Sequence, residues 1–190
     1  MPLISSGHRN QEPYNLHNFT VLLAEDSVYM QTLVSEMLRV FGVGDILTCS
    51  DAKEAIDLLT IAQARASSRH ISKIDIILTD WLMPNGNGED LLNWVRTHEN
   101  DDIRFLPVIV VSGFTTEKVT SATRDLGANE ILVKPVSGKL LASRICSVID
   151  TPRAFIETSG FFGPDRRRQD LRFVGENRRN TSPNIVEKNI

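Results

Sequence analysis

The sequence predicts an α/β fold: five parallel strands in one sheet with helices on both faces. Three observations carry that expectation. Short, nearly unbroken apolar runs recur along the chain, segments with apolar residues at 3/4 spacing alternate with them, and Gly- or Pro-bearing turns separate the two. A strand covered by helices on both sides reads as a continuous apolar run, whereas a half-exposed strand alternates.

Taken in order, Val21–Ala24 is the first apolar run, and Met30, Leu33, Val34, Met37, Leu38 and Phe41 then mark one face of a helix. Gly42 and Gly44 end that helix, Asp45–Cys49 is a weaker strand, and Ala55, Leu58, Leu59 and Ala62 trace a second helix. Ala64–Lys73 is polar and basic, a helix end and loop. Ile74–Thr79 is the clearest strand, followed by the turn Met83-Pro84-Asn85-Gly86-Asn87-Gly88 and a helix over Glu89–Glu99. Pro107–Val111 is the fourth strand, Thr116–Leu126 the fourth helix (stopped by Gly127) and Glu130–Val133 the fifth strand. Ser137 is placed to cap a last helix with Leu141, Ile145, Val148 and Ile149 on its inner face.

At 190 residues, 41% hydrophobic and 24% charged, the chain has ordinary globular composition and room for one domain plus a remainder. That excludes a disordered chain, a disulfide miniprotein and a collagen-like fibre. No stretch approaches the roughly 20 apolar residues a membrane span needs, and the N-terminus shows no secretory pattern. Cys49 and Cys146 read as reduced thiols, small apolar residues of a cytoplasmic protein. The expected organisation is a flexible lead-in at 1–17, a domain at 18–150 and an extended, partly disordered tail at 151–190. Residues 1–149 carry a net charge of −5 and residues 150–190 a net of +2.

In an open α/β sheet, ligands bind outside the carboxyl ends of the strands, where the strand order reverses. Strand one ends in Glu25-Asp26, strand three in Asp80, strand four in Ser112 and strand five in Lys134-Pro135. A lone acid after a strand commonly caps the next helix, and Asp26 beside Ser27 suits that role. Asp80 is harder to explain so, because it closes an apolar strand where an unpaired carboxylate is costly to bury. Lys134 directly follows Ile-Leu-Val, so it either snorkels outward or meets a negative partner. Three gathered carboxylates need a cation, and hard oxygen ligands suit Mg²⁺. A carboxylate can accept a phosphoryl group, whose oxygens Mg²⁺, an ammonium and a hydroxyl can together neutralise. The residues point to Mg²⁺-assisted phosphoryl transfer onto an aspartate.

From about Phe19 to Ile149 the chain resembles the CheY-like receiver domains of response regulators in two-component phosphorelay signalling. The stretches that carry the resemblance are Val-Leu-Leu-Ala-Glu25-Asp26-Ser, Leu-Thr-Asp80-Trp-Leu-Met-Pro84-Asn-Gly-Asn-Gly88, Val-Ile-Val-Val-Ser112-Gly113 and Ile-Leu-Val-Lys134-Pro135. It implies a flavodoxin-like doubly wound sheet of order 2-1-3-4-5. By position it makes Asp80 the phosphoacceptor, and Glu25, Asp26, Asp80 and the carbonyl of Leu82 the Mg²⁺ site. Ser112 becomes the switch hydroxyl and Lys134 its ion partner. Two positions depart from the family: Ile131 replaces the usual switch aromatic, and Gly113 stands where Ala is common, beside Phe114.

The resemblance implies a stand-alone response regulator that takes phosphate from a sensor histidine kinase or phosphotransfer protein. It would signal by contact through the surface of helix four, strand five and helix five, catalysing only its own phosphorylation and dephosphorylation. The alternative is a non-phosphorylated adaptor that docks partners, including through its tail; such domains usually lose an acid or the lysine, and all are present. A flavodoxin needs a phosphate-binding loop where Glu25-Asp26 stands, and an aspartyl-phosphate hydrolase needs an aspartate where Leu82 stands. In the tail, Phe161 and Phe162 are candidate apolar anchors and Arg166, Arg167 and Arg168 candidate contacts for acidic partners. Asp165, Asp170 and Glu176 dilute the basic field and disfavour nucleic acid. His8, His17, His70 and His98 have no metal-ligand spacing, and Trp81 and Trp94 read as packing residues.

Overall fold

The computed structural model describes residues 16–64, 73–113, 116–166, 184–186 and 188. Its main body alternates β1 (Thr20–Ala24), α1 (Val28–Val40), β2 (Asp45–Cys49), α2 (Ala52–Ala64), β3 (Ile76–Asp80), α3 (Gly88–Thr97), α4 (Asp101–Arg104), β4 (Val108–Ser112), α5 (Glu117–Asp125), β5 (Glu130–Val133) and α6 (Gly138–Asp150). The five strands pair in parallel in the order β2-β1-β3-β4-β5, the flavodoxin-like doubly wound arrangement. Every residue of β1, β3 and β4 is buried, which is why these three gave the unbroken apolar runs.

Alternate residues of those strands feed two separate cores. Leu22, Ile77, Val108 and Val110 face α2 and α3, packing with Ala55, Leu59, Leu91, Leu92 and Val95. Val21, Leu23, Ile76, Leu78, Ile109 and Val111 face the other way, onto Val34 and Leu38 of α1 and Leu141 and Ile145 of α6. Trp81 belongs to the first core, as a packing residue should.

Helix starts follow capping chemistry. Ser137 and Thr116 accept hydrogen bonds from Leu140 N and Val119 N, and Asn87 and Asp90 form a reciprocal capping box on α3. The cap of α1 is Ser27, whose hydroxyl accepts from Met30 N; Asp26, offered above for that role, is left exposed and available to the sheet edge. The short α4, capped by Asn100, falls between the third helix and fourth strand, where no apolar period announced it.

Two findings move the expected boundaries. Leu16 is buried in the second core, and its carbonyl accepts from Phe19 N and Gly44 N, so it belongs with the domain although it falls within the lead-in at 1–17. The segment after α6 is also not simply extended. β6 (Phe155–Thr158) and β7 (Phe161–Pro164) form an antiparallel hairpin to which β8 (Asn184–Val186) adds. Three-residue and four-residue strands without a period leave no sequence signal, but the hairpin needs no core of its own because it packs on the main body. Arg167, Arg168 and the residues around them lie outside the described residues, as do 1–15 and Phe114.

Beneath the hairpin lies a side chain that sequence reading passed over. Arg96, at the end of α3, is 5% exposed. It donates to the carbonyls of Gly127, Arg104 and Leu106 and to Asn129 Oδ1, each at 2.8 Å. Burial lowers its pKa to about 9, which leaves it a cation at neutral pH.

Candidate functional site

From β1 the chain moves outward to β2 and then crosses back over β1 to form β3 on its other side, so the carboxyl ends of β1 and β3 flank the switch point. Glu25 and Asp26 stand at the first end and Asp80 at the second. Carboxylate oxygens of all three lie within 4.8 Å of one another. Glu25 and Asp80 are buried and Asp26 is exposed, so the cluster has two inner acids and one at its mouth.

Lys134 reaches across from the end of β5. Its Nζ lies 2.7 Å from Asp80 Oδ2 and 2.8 Å from Glu25 Oε2. Of the two fates open to this side chain, it takes the negative partners. Burial alone would lower the Lys134 pKa, but the hydrogen bonds and charges of Asp80 and Glu25 outweigh it and hold the group above its ordinary value. Burial raises the Glu25 pKa, opposed by its hydrogen bond to Lys134 and reinforced by the charge of Asp80. One ammonium against three carboxylates leaves a site short of positive charge, and all its ligand atoms are hard oxygens.

Several backbone contacts fix these side chains. Glu25 N donates to the Cys49 carbonyl at 3.0 Å, tying the acid to the end of β2. Gln31, which sequence spacing did not single out, donates its amide to the carbonyls of both Glu25 (3.3 Å) and Cys49 (3.1 Å), bracing the two strand ends from α1. Asp80 pairs in register with Val111, and Trp81 N donates to the Val111 carbonyl at 2.8 Å. Gly88 N donates to the Trp81 carbonyl, and a Cβ on Gly88 would lie 2.2 Å from the Asp80 carbonyl oxygen, so only glycine lets α3 begin there.

Ser112 ends β4, is 2% exposed, and its carbonyl accepts from Lys134 N at 2.8 Å. It is thereby held beside the lysine whose side chain binds the acids. Gly113 follows with open space where a Cβ would stand. Leu82 is half-exposed on the loop after Asp80, and Ile131 is half-buried in β5. Among the described residues, His17 and His98 form no metal cluster, and the one acid group suited to a metal is Glu25, Asp26 and Asp80.

The sequence profile of the response regulator receiver domain matches residues 21–146. The chain belongs to that family. Chemotaxis protein CheY of Pseudomonas aeruginosa is 26% identical over 130 residues, which are 68% of this chain and 95% of that protein. The transcriptional regulatory protein CpxR of Escherichia coli is 29% identical over 130 residues, 68% of this chain but 48% of the longer regulator. The receiver domain of the histidine kinase CKI1 from Arabidopsis thaliana, crystallised with Mg²⁺ and BeF3⁻, superposes with a TM-score of 0.63 at 25% identity. That superposition covers 72% of this chain and 93% of the plant domain. The protein is thus a receiver domain of two-component signalling, a response regulator fold with its acidic cluster at the sheet edge. The family match ends at Cys146, so the hairpin lies beyond it. Among the described residues no helix is long and apolar enough to cross a membrane.

Proposed function

We propose that this receiver is a stand-alone response regulator that accepts a phosphoryl group on Asp80 from a sensor histidine kinase or phosphotransfer protein and signals by phosphorylation-dependent contact. The observation that carries the reading is the Lys134 ammonium bridging Asp80 and Glu25 at the switch point of the sheet. An adaptor would have no use for a buried acid pair held by a lysine at that edge.

Glu25, Asp26 and Asp80, with the carbonyl of Leu82, are the groups that would hold Mg²⁺. The donor set fits: three hard carboxylates converge within 4.8 Å and carry more negative charge than Lys134 offsets. Bound there, Mg²⁺ supplies the divalent charge that draws phosphoryl oxygens toward the acceptor. In the transfer, an Asp80 carboxylate oxygen forms the new O–P bond as the P–N bond to the donor histidine breaks. The departing imidazole nitrogen keeps the electron pair, and the ring, already protonated at its other nitrogen, leaves as neutral imidazole. Lys134 keeps the Asp80 carboxylate oriented before transfer and pairs with a phosphoryl oxygen afterwards. The Ser112 hydroxyl, one strand away, donates to another, and that movement is the signal read on α5, β5 and α6.

Acetyl phosphate with Mg²⁺ tests the reading on purified protein. Wild type is expected to acquire one acid-stable, base-labile phosphoryl group per chain, and Asp80→Asn none. Equal labelling of Asp80→Asn overturns the assignment.

A further inference from the structure

The hairpin after α6 is docked through contacts of several kinds. The Phe162 ring lies 5.1 Å from Phe105 and 5.3 Å from Phe155, with the Arg104 guanidinium 3.7 Å over its face. Phe155 is buried, and the Arg96 guanidinium lies 5.2 Å from its ring. Arg104 pairs with Glu157 at 3.1 Å, and Arg166 pairs with Asp125 at 2.8 Å while lying over Phe161. Backbone meets backbone at two glycines. A Cβ on Gly163 would lie 2.8 Å from Gly127 Cα, and one on Gly127 (φ +91°) would lie 2.9 Å from the Phe162 carbonyl oxygen. The sequence expectation had Phe161, Phe162 and Arg166 reaching for a partner; all three are engaged within the chain.

Two rigid elements connect this docking face to the acidic site. α3 begins against the carbonyl of Asp80 at Gly88 and carries Arg96 near its other end. Its 10 residues span about 15 Å at ~1.5 Å per residue. α5 begins five positions after Ser112 and ends at Asp125, the partner of Arg166; Gly127, two residues on, is the glycine that Gly163 touches. So the helices that follow two of the site-bearing strands, β3 and β4, both end at the hairpin. Arg96 adds a cross-tie, because it binds both Gly127 and Asn129 ahead of β5 and Leu106 ahead of β4.

We propose that the hairpin is a latch whose docking is coupled to the occupancy of Asp80, and that phosphorylation loosens it. This rests on the phosphoacceptor reading above. The docked hairpin accompanies the state in which Lys134 holds the Asp80 carboxylate itself. Drawing Ser112 toward a phosphoryl group displaces the start of α5, while Arg166 and the Gly127–Gly163 contact hold its end. Docking therefore resists the change, and release of the hairpin frees both the helix and the aromatic face of Phe105. Linkage makes the effect reciprocal: whatever undocks the hairpin favours phosphorylation.

The experiment is hydrogen exchange on the full chain with and without acetyl phosphate and Mg²⁺, with label on Asp80 quantified by mass spectrometry in the same samples. Amide exchange across residues 155–164 is expected to speed up by at least about fivefold on phosphorylation, the lower end of ordinary coupling. Phe162→Ala and the surface substitution Arg166→Gln, which leaves the aromatic cluster intact, are expected to raise label on Asp80 severalfold at limiting acetyl phosphate. Labelled Asp80 with unchanged or slowed hairpin exchange overturns the latch and spares the phosphoacceptor. Unlabelled Asp80 overturns the phosphoacceptor and the latch with it.

Discussion

Replacing Arg96 with methionine keeps an unbranched side chain of similar reach and removes all the guanidinium donors. Four acceptors now served at 2.8 Å lose their partner. Asn129 Oδ1 retains the Val108 amide at 3.0 Å, so three carbonyls, those of Gly127, Arg104 and Leu106, are left unsatisfied by this donor. A buried acceptor without a partner costs about 1–3 kcal/mol, so three cost about 3–9 kcal/mol. Against this stands the relief of a buried cation that has no carboxylate beside it, worth several kcal/mol. A net loss of about 3 kcal/mol is expected, a large fraction of the roughly 5–15 kcal/mol that stabilises a typical domain. Urea denaturation followed by far-ultraviolet circular dichroism reads it as a lower midpoint at unchanged slope. Lysine at the same position should lose nearly as much, since one ammonium cannot reach acceptors on α4, the β4 lead-in and the turn before β5 together. A loss below about 1 kcal/mol would refute the view that Arg96 ties these three segments.

Lys134→Ala should cut the initial rate of phosphorylation from acetyl phosphate by about 100-fold, the effect typical of losing one preorganised charge, with the fold retained by circular dichroism; an unchanged rate would contradict its role. Gly88→Ala puts a methyl group 2.2 Å from the Asp80 carbonyl, so it should displace the end of β3 and lower labelling at least about tenfold; wild-type labelling would mean that α3 starts with slack. Cys49 gives a pH signature. Burial, aided by Glu54 and Asp51, pushes its thiol from 9.0 up to about 12. The unfolded chain therefore releases this proton above pH 9 while the folded chain keeps it, and stability falls as pH rises from about 9 to 12, by up to about 1.4 kcal/mol per unit. The urea midpoint of wild type relative to that of Cys49→Ala should fall across that window and stay flat below pH 8; a flat difference throughout would show the thiol ionising freely.

What could be read from the sequence was whatever leaves a period or a chemical misfit. β1, β3 and β4 are buried on both sides and so wrote continuous apolar runs, while α1, α3 and α6 wrote 3/4 stripes. Asp80 and Lys134 stood out because a charge at the end of an apolar run demands a partner, and the structure joins them at 2.7 Å. Features made by tertiary contact alone were silent. Arg96 lies at the end of a helix, followed by Thr97, His98 and Glu99, the usual place for a solvated arginine, and only the arrival of three carbonyls from elsewhere in the chain explains its burial. Gln31 sits on the α1 surface pattern and gains meaning from two strand ends it braces. The hairpin consists of strands too short for alternation to show, and its stability comes from Phe105, Arg104 and Gly127, which precede it by dozens of residues.

Asp80, proposed as the phosphoryl acceptor of a Mg²⁺-dependent site, has a direct chemical readout. Borohydride reduction converts an aspartyl phosphate to homoserine, so protein treated with acetyl phosphate and Mg²⁺, then reduced and digested, reports the acceptor by peptide mass. Homoserine is expected at position 80 alone, and a chelator should abolish it. Homoserine at another aspartate, or at position 80 with the chelator present, would contradict the proposal.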